Sequence, residues 1–312
     1  MSTSLATYAD EYLELRRHLG AQLHDHQRLI TSFLVSLQLS GQETATVEAA
    51  VAWASTPVGT SHHWWAHRLG VIRGFCDYVH ARDTDLAPLI PAGLIASKSL
   101  PAIPYIYTPV QIVDLMLAAR ILKPPQRGRT LATVIGLMAS TGMRIGEALA
   151  LNLKDVDVAA TLITATGKYR KKRFVPIHPS TADALETYLR ESRATITVHN
   201  PEAFFLTFLG TRPHRGNLEK AFRSLTTTFG LLPRPGAGKP RLHDLRHTFS
   251  TNSLLDSYRS GENPDARLAV LATYLGHVSP ASTYWYLSAT PELLGLVQER
   301  VEAAQSQGKL LP

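Results

Sequence analysis

An arginine that follows a helix-ending glycine is well placed to hold an anion, and Thr141-Gly142-Met143-Arg144-Ile145-Gly146-Glu147 contains one. Gly142 ends one helix and Arg144 falls in the first turn of the next, where unpaired N–H groups favour a phosphate. The helix dipole opposes a cation there, so an anion, or Glu147 three residues on, must answer Arg144. Glu147 either orients Arg144 or satisfies the helix start; the plain alternative is an ordinary surface arginine. A second segment, Gly167-Lys168-Tyr169-Arg170-Lys171-Lys172, is basic throughout. Lys168 there can reach a phosphate ester and protonate a departing oxygen, or it is one of several solvated lysines. In a third, Leu242-His243-Asp244-Leu245-Arg246-His247, His243 and Arg246 are three apart, so on a helix they address one ligand together. Leu242 and Leu245 beside them serve as core anchors. His243 and His247 lack an obvious third partner, which makes a metal site a weak reading. In the fourth, Leu275-Gly276-His277 is followed nine residues later by Tyr286. Tyr286 is either a nucleophile or a core tyrosine, and Tyr284 is a second choice.

These residues need elements to position them. Apolar residues recur at helical spacing over Tyr8–Leu19, Ile30–Leu39 and Trp64–Val79, with a break at Thr56-Pro57-Val58-Gly59-Thr60 and a cap at Thr60 or Ser61. Two prolines in Leu100-Pro101-Ala102-Ile103-Pro104 disfavour helix, so residues 101–107 read as a linker between domains 1–100 and 108–312. Thr108-Pro109 then opens a helix, and Thr130–Met138 reads as a buried one. Thr161–Thr164 and Arg173–Ile177 read as two short strands, which puts Lys168 at the tip of a hairpin. The fold class is therefore mainly α with a small antiparallel β-sheet. Residues 253–275 read as a surface insertion. After Tyr286, Thr290-Pro291-Glu292 starts a tail helix with Leu293, Val297 and Val301 on one stripe.

Composition narrows the partner. Of 312 residues, 45% are hydrophobic and 8% aromatic, enough for packed interiors. A single cysteine, Cys76, excludes an internal disulfide and a cysteine-rich metal site, which suits the cytoplasm. Neither a signal peptide nor a membrane span is expected. The net charge is +7, yet residues 1–100 hold 7 Lys/Arg against 9 Asp/Glu while the remainder holds 25 against 16. The basic excess therefore lies with the candidate chemistry, which points to a polyanion.

Taken in order, Arg144, Lys168, His243-x-x-Arg246, Gly276-His277 and Tyr286 resemble the tyrosine recombinases, the family of phage integrases and chromosome-dimer resolving recombinases. The resemblance covers about residues 105–290; the first hundred match that family's helical, SAM-like core-binding clamp in length and type only. It implies site-specific cutting and rejoining of double-stranded DNA through a covalent 3′-phosphotyrosine, with Tyr286 as nucleophile. Arg144 and Arg246 would hold the phosphate and Lys168 would protonate the 5′ oxygen. His243 would move the proton of Tyr286, and His277 would donate a hydrogen bond to the phosphate. Glu147 would position Arg144. Further DNA contacts are expected from Arg170, Lys171, Lys172 and Arg241, and from Arg68 and Arg73 in one patch of the first domain with His62, His63, Trp64 and His67. No metal and no nucleotide cofactor are implied. The implied assembly is a homotetramer on two DNA sites, monomeric or weakly dimeric off DNA, with the tail docked on a neighbour and accessory proteins as further partners. The tyrosine segment resembles that of recombinases borne by transposon-like elements. A type IB topoisomerase, a catalytically inactive DNA-binding relative and a metal-dependent phosphoesterase are the alternatives.

Overall fold

The computed structural model describes residues 4–20, 23–96, 103–167, 171–232 and 238–276, and positions 295, 298 and 302. The chain divides into two compact units, Met1–Pro101 and Ala102–Pro312.

The first unit is built from α1 (Leu5–His18), α2 (His24–Leu39), α3 (Val47–Ser55) and α4 (His62–His80). Hydroxyl caps set three of the starts: Ser4, Thr46 and Ser61 each accept an N–H three residues on. The short α3 is not evident in the sequence pattern, because Ala49, Ala50, Ala52 and Ala54 give it little periodicity. Its core joins Phe33, Trp53, Ile72 and Phe75. Cys76 lies in that core with no exposed surface; burial, then the charge of Asp77, pushes its thiol up to about 12.

The second unit begins on the segment read as a linker, where Tyr107 is buried. Its N–H donates to Thr248 Oγ1 at 3.0 Å and its hydroxyl to the Arg241 carbonyl at 3.0 Å. Then follow α5 (Pro109–Arg120), α6 (Pro125–Thr141), α7 (Ile145–Ala150), β1 (Val156–Asp157), β2 (Leu162–Thr166), β3 (Lys172–Pro176), α8 (Pro179–Arg193), α9 (Arg215–Thr228), α10 (Asp244–Arg259) and α11 (Pro264–Leu275). Thr108 and Gln111 form the capping box ahead of Pro109. α6 is the central helix, packed by α5, α8 and α10. The strands form an antiparallel sheet in the order β1-β2-β3, with Ile163 opposite both Val156 and Val175. Alternation puts Ile163, Ala165 and Val175 into the core and leaves Phe174 exposed.

Residues 253–275 do not lie wholly on the surface. They finish α10, turn at Ser260–Asn263 and form α11, and the two helices bury Leu254, Leu255, Leu268, Leu271 and Leu275 between them. No described helix is long and apolar enough to cross a membrane. In the tail, Gly295, Gln298 and Glu302 are helical and exposed, and Gln298 donates to Glu302 at 2.9 Å; Leu293, Val297 and Val301 lie outside the described residues.

Candidate active site

The turn from α6 to α7 is shaped by Gly142. Its φ of +62° is a left-handed conformation, and an added Cβ would meet Phe249 Cδ1 at 2.5 Å and Leu275 Cδ2 at 3.0 Å. Backbone and packing both demand glycine here. Arg144 is the residue before α7 rather than part of its first turn. α7 has only six residues, so its dipole is small, and a carboxylate does most to answer Arg144. Glu147 accepts the Arg144 backbone N–H at 3.0 Å and its Nη1 at 2.9 Å. Glu147 is 6% exposed, while the Arg144 side chain remains 36% exposed.

A residue that the sequence reading did not single out completes this cluster. Arg173 on β3 grips Glu147 with both terminal nitrogens, at 2.9 and 2.7 Å, and donates from Nε to the Tyr274 carbonyl at 2.9 Å. Burial pushes the Glu147 carboxyl up, but the hydrogen bond and charge of Arg173, then Arg144, outweigh it and hold the group at about 2.

Arg246 lies deeper, 1% exposed on α10. Its Nη1 donates to the Gly142 carbonyl at 2.6 Å and its Nη2 to the Leu275 carbonyl at 2.9 Å. Arg144 Nη1 approaches that same Leu275 oxygen at 3.5 Å. Carbonyls at a helix C-terminus lack intrahelical donors, so arginines serving the end of α11 follow from ordinary helix chemistry. The consequence is that Arg144 and Arg246 meet at one atom, two residues before His277.

His243 immediately precedes α10, and its ring meets His247 edge-on at 4.9 Å. Burial, then the charges of Arg246, Arg241, Arg144 and Arg215, lower its imidazole from 6.5 to about 4. It is therefore neutral near pH 7, with burial and the surrounding arginines opposing its protonation. Asp244 braces this helix start. It is 1% exposed and takes both the Arg241 N–H at 2.8 Å and the Arg241 guanidinium at 2.8 Å, although burial still raises its carboxyl. Arg241 is thus half committed to Asp244.

Of the expected site residues, the structure brings together Arg144, Glu147, His243, Arg246 and Arg241. Lys168, Arg170, His277, Tyr284 and Tyr286 lie outside the described residues. Lys171 and Lys172 are exposed at the start of β3, and the Lys171 carbonyl accepts the Gly167 N–H at 2.8 Å. Gly167 itself approaches the cluster, since a Cβ on it would lie 3.6 Å from Glu147 Oε1.

In the first unit, Arg68 and Arg73 do not share a face. They are five positions apart on α4, about 140° around the axis. Arg68 lies over the Trp53 ring, 3.8 Å from its centroid, and donates to the Trp53 carbonyl at 2.7 Å. Arg73 instead lines a cavity with Gly70 and Gly93–Ala96. Trp64 and His67 do stack, with centroids 5.4 Å apart.

The second unit is thus mainly helical with a three-stranded sheet, and carries two arginines and a neutral histidine around one helix end. Residues 107–292 match the phage integrase family. Over 299 residues the chain is 36% identical to the integrase/recombinase y4rB of Sinorhizobium fredii (strain NBRC 101917 / NGR234), covering 94% of this chain and 95% of that one. It is 28% identical over 304 residues to the tyrosine recombinase XerC of Mycobacterium bovis (strain BCG / Pasteur 1173P2), covering 93% and 96%. The fold is shared with the Tn1549 transposon integrase solved with transposon right end DNA, at a TM-score of 0.64, 17% identity and coverage of 96% and 100%. It is shared also with the XerH recombinase bound to difH, at 0.57, 20% identity and coverage of 90% and 76%. The chain belongs to the phage integrase family and is a tyrosine recombinase, an enzyme that acts on DNA. The topoisomerase and inactive-relative readings are not favoured by these relatives.

Proposed function

We propose that this enzyme cuts and rejoins double-stranded DNA at specific sites by forming a 3′-phosphotyrosine on Tyr286. The observation that carries the reading is the convergence of Arg144 and Arg246 on the Leu275 carbonyl beside a neutral His243. A phosphodiester entering there meets two guanidiniums already oriented by the protein. Their charge-assisted hydrogen bonds strengthen as charge builds on the phosphoryl oxygens. Neutral His243 accepts the proton of Tyr286 as its oxygen attacks phosphorus, and Lys168 protonates the departing 5′ oxygen. The phosphotyrosine ester retains the energy of the broken bond, so resealing needs no nucleotide. His277 adds a hydrogen bond to the phosphate, and Arg170, Lys171, Lys172 and Arg241 contact the flanking backbone.

The assembly proposed is a homotetramer on two DNA sites, with the tail beyond Thr290 docked on a neighbouring protomer, in the cytoplasm of a cell that carries a transposon-like element. Tyr286→Phe and Tyr284→Phe on a nicked suicide duplex test the nucleophile. Loss of the covalent adduct in the first alone is expected; an adduct persisting in Tyr286→Phe removes the assignment.

A further inference from the structure

We propose that Arg173 is a positioning residue for strand cutting, fixing through Glu147 and the Tyr274 carbonyl the three segments that carry Lys168, Arg144 and His277. The inference rests on the reading of Arg144 as a phosphate ligand. All three guanidinium nitrogens of Arg173 are committed, two to Glu147 and Nε to Tyr274, and its side chain is 15% exposed. These bonds run to a carboxylate and a carbonyl of the neighbouring segments, so it is assigned a positioning role.

The three connections are distinct. Arg173 sits on β3, whose pairing with β2 closes the hairpin at Gly167 and Lys171, the residues flanking Lys168 to Arg170. Through Glu147 it fixes both the backbone N–H and the Nη1 of Arg144. Through the Tyr274 carbonyl it holds the residue before Leu275, whose own carbonyl oxygen is shared by Arg144 and Arg246. Gly276 turns the chain just after this contact with a left-handed φ of +66°, which favours glycine there. A lysine supplies the charge but not the planar three-nitrogen fork, so it holds one partner at a time.

The charged groups around Glu147 are Arg144 from its own turn and Arg173 from β3. α11 presents Tyr274 to Arg173, and α10 brings Arg246 to the adjacent carbonyl. Of these, Arg173 opposes most strongly the burial that pushes the Glu147 carboxyl up. Without it, Glu147 takes a proton at a higher pH, and its hold on Arg144 becomes pH-dependent.

The test uses the full chain, a half-site suicide duplex, single-turnover cleavage from about pH 5 to 8, duplex affinity by anisotropy, and thermal melting. Arg173→Gln is expected to slow cleavage about 100-fold, the scale of a small misplacement at a reacting centre. Duplex affinity should stay within about threefold, because many other cations supply it. The rate of Arg173→Gln should climb with pH more steeply than that of the unmodified enzyme, and Arg173→Lys should restore the unmodified profile with only part of the rate. Glu147→Gln combined with Arg173→Gln should be no slower than the slower single variant, as expected of residues acting as one unit. Cleavage by Arg173→Gln at the unmodified rate overturns the proposal. So do additive losses in the double variant, and parallel losses of melting temperature, affinity and cleavage in both the Gln and Lys variants. If Arg144→Ala itself cleaves normally, the underlying phosphate reading fails instead. A slow Arg144→Ala beside a fast Arg173→Gln defeats this inference alone.

Discussion

Two arginines, one in each unit, lie against a helix partner and donate to backbone carbonyls, yet their surroundings differ. Arg68 on α4 covers the Trp53 ring and bonds a single carbonyl of the neighbouring α3. Arg246 on α10 bonds the carbonyls of Gly142 and Leu275, which belong to two turns 133 residues apart that both lead into candidate chemistry. The first arrangement fastens one helix to another. The second makes the fastening itself part of a phosphate site. A buried guanidinium is therefore uninformative until the owners of its carbonyls are known.

The sharpest way to break this comparison is to remove each arginine. Arg246→Ala should lose about 2–4 kcal/mol of transition-state stabilisation, as for an oxyanion donor. It should also lower the melting temperature, because the Gly142 carbonyl loses this donor, at about 1–3 kcal/mol, and the Leu275 carbonyl is left with the more distant Arg144. Arg144→Ala should lose a similar amount in cleavage with a much smaller change in melting, since its side chain is 36% exposed. Equal melting losses in the two variants would erase the distinction drawn between them.

Acid should act next, and chiefly on the second unit, although burial also lowers the His26 imidazole in the first. The folded protein resists protonating His243, whose value falls from 6.5 to about 4. The unfolded chain takes that proton first, so stability is lost as pH falls from 6.5 to about 4, by an amount on the order of 2–3 kcal/mol. Glu147 behaves as a depressed carboxylate: its contribution is intact above 4.5 and lost as pH falls toward about 2. Melting curves of His243→Gln should be flatter between pH 6.5 and 4. Bound duplex should also narrow that loss, because phosphate offsets the surrounding arginines. An unchanged acid profile in His243→Gln would show that the histidine is not held neutral by its neighbours.

The smallest effects belong to the first unit. Arg68→Ala should destabilise it by about 1–2 kcal/mol through the lost ring contact and hydrogen bond. Arg73→Glu should instead lower the salt dependence of duplex binding by roughly one counterion. A reversal of those two outcomes would return Arg68 to the DNA-facing patch in which the sequence places it.

Much of the local structure was legible because its causes are local. Thr108-Pro109, Ser61 and the β2–β3 hairpin announce themselves through caps, prolines and alternation. The pairing of His243 with Arg246 follows from a helical repeat. The contacts that complete the site run between residues far apart in sequence: Arg173 with Glu147, Tyr107 with Thr248, and Arg246 with Gly142. No periodicity reports such distances. The nearest signal for Arg173 was its position at the foot of a basic hairpin, where it reads as one more cation. Residues 253–275 misled for a related reason, since a polar turn, Gly261-Glu262-Asn263, splits two helices whose leucines show their purpose only when packed together.

Cys76 has a practical consequence of a different kind. It is the chain's only thiol, it has no exposed surface, and burial holds it up at about 12, so it presents almost no thiolate at neutral pH. A cysteine introduced in the exposed Ser260–Asn263 turn would be the one sulfur a maleimide reaches, with the unmodified chain as its own blank. A dye there would report the orientation of the α10–α11 hairpin from the exposed turn that joins its two helices.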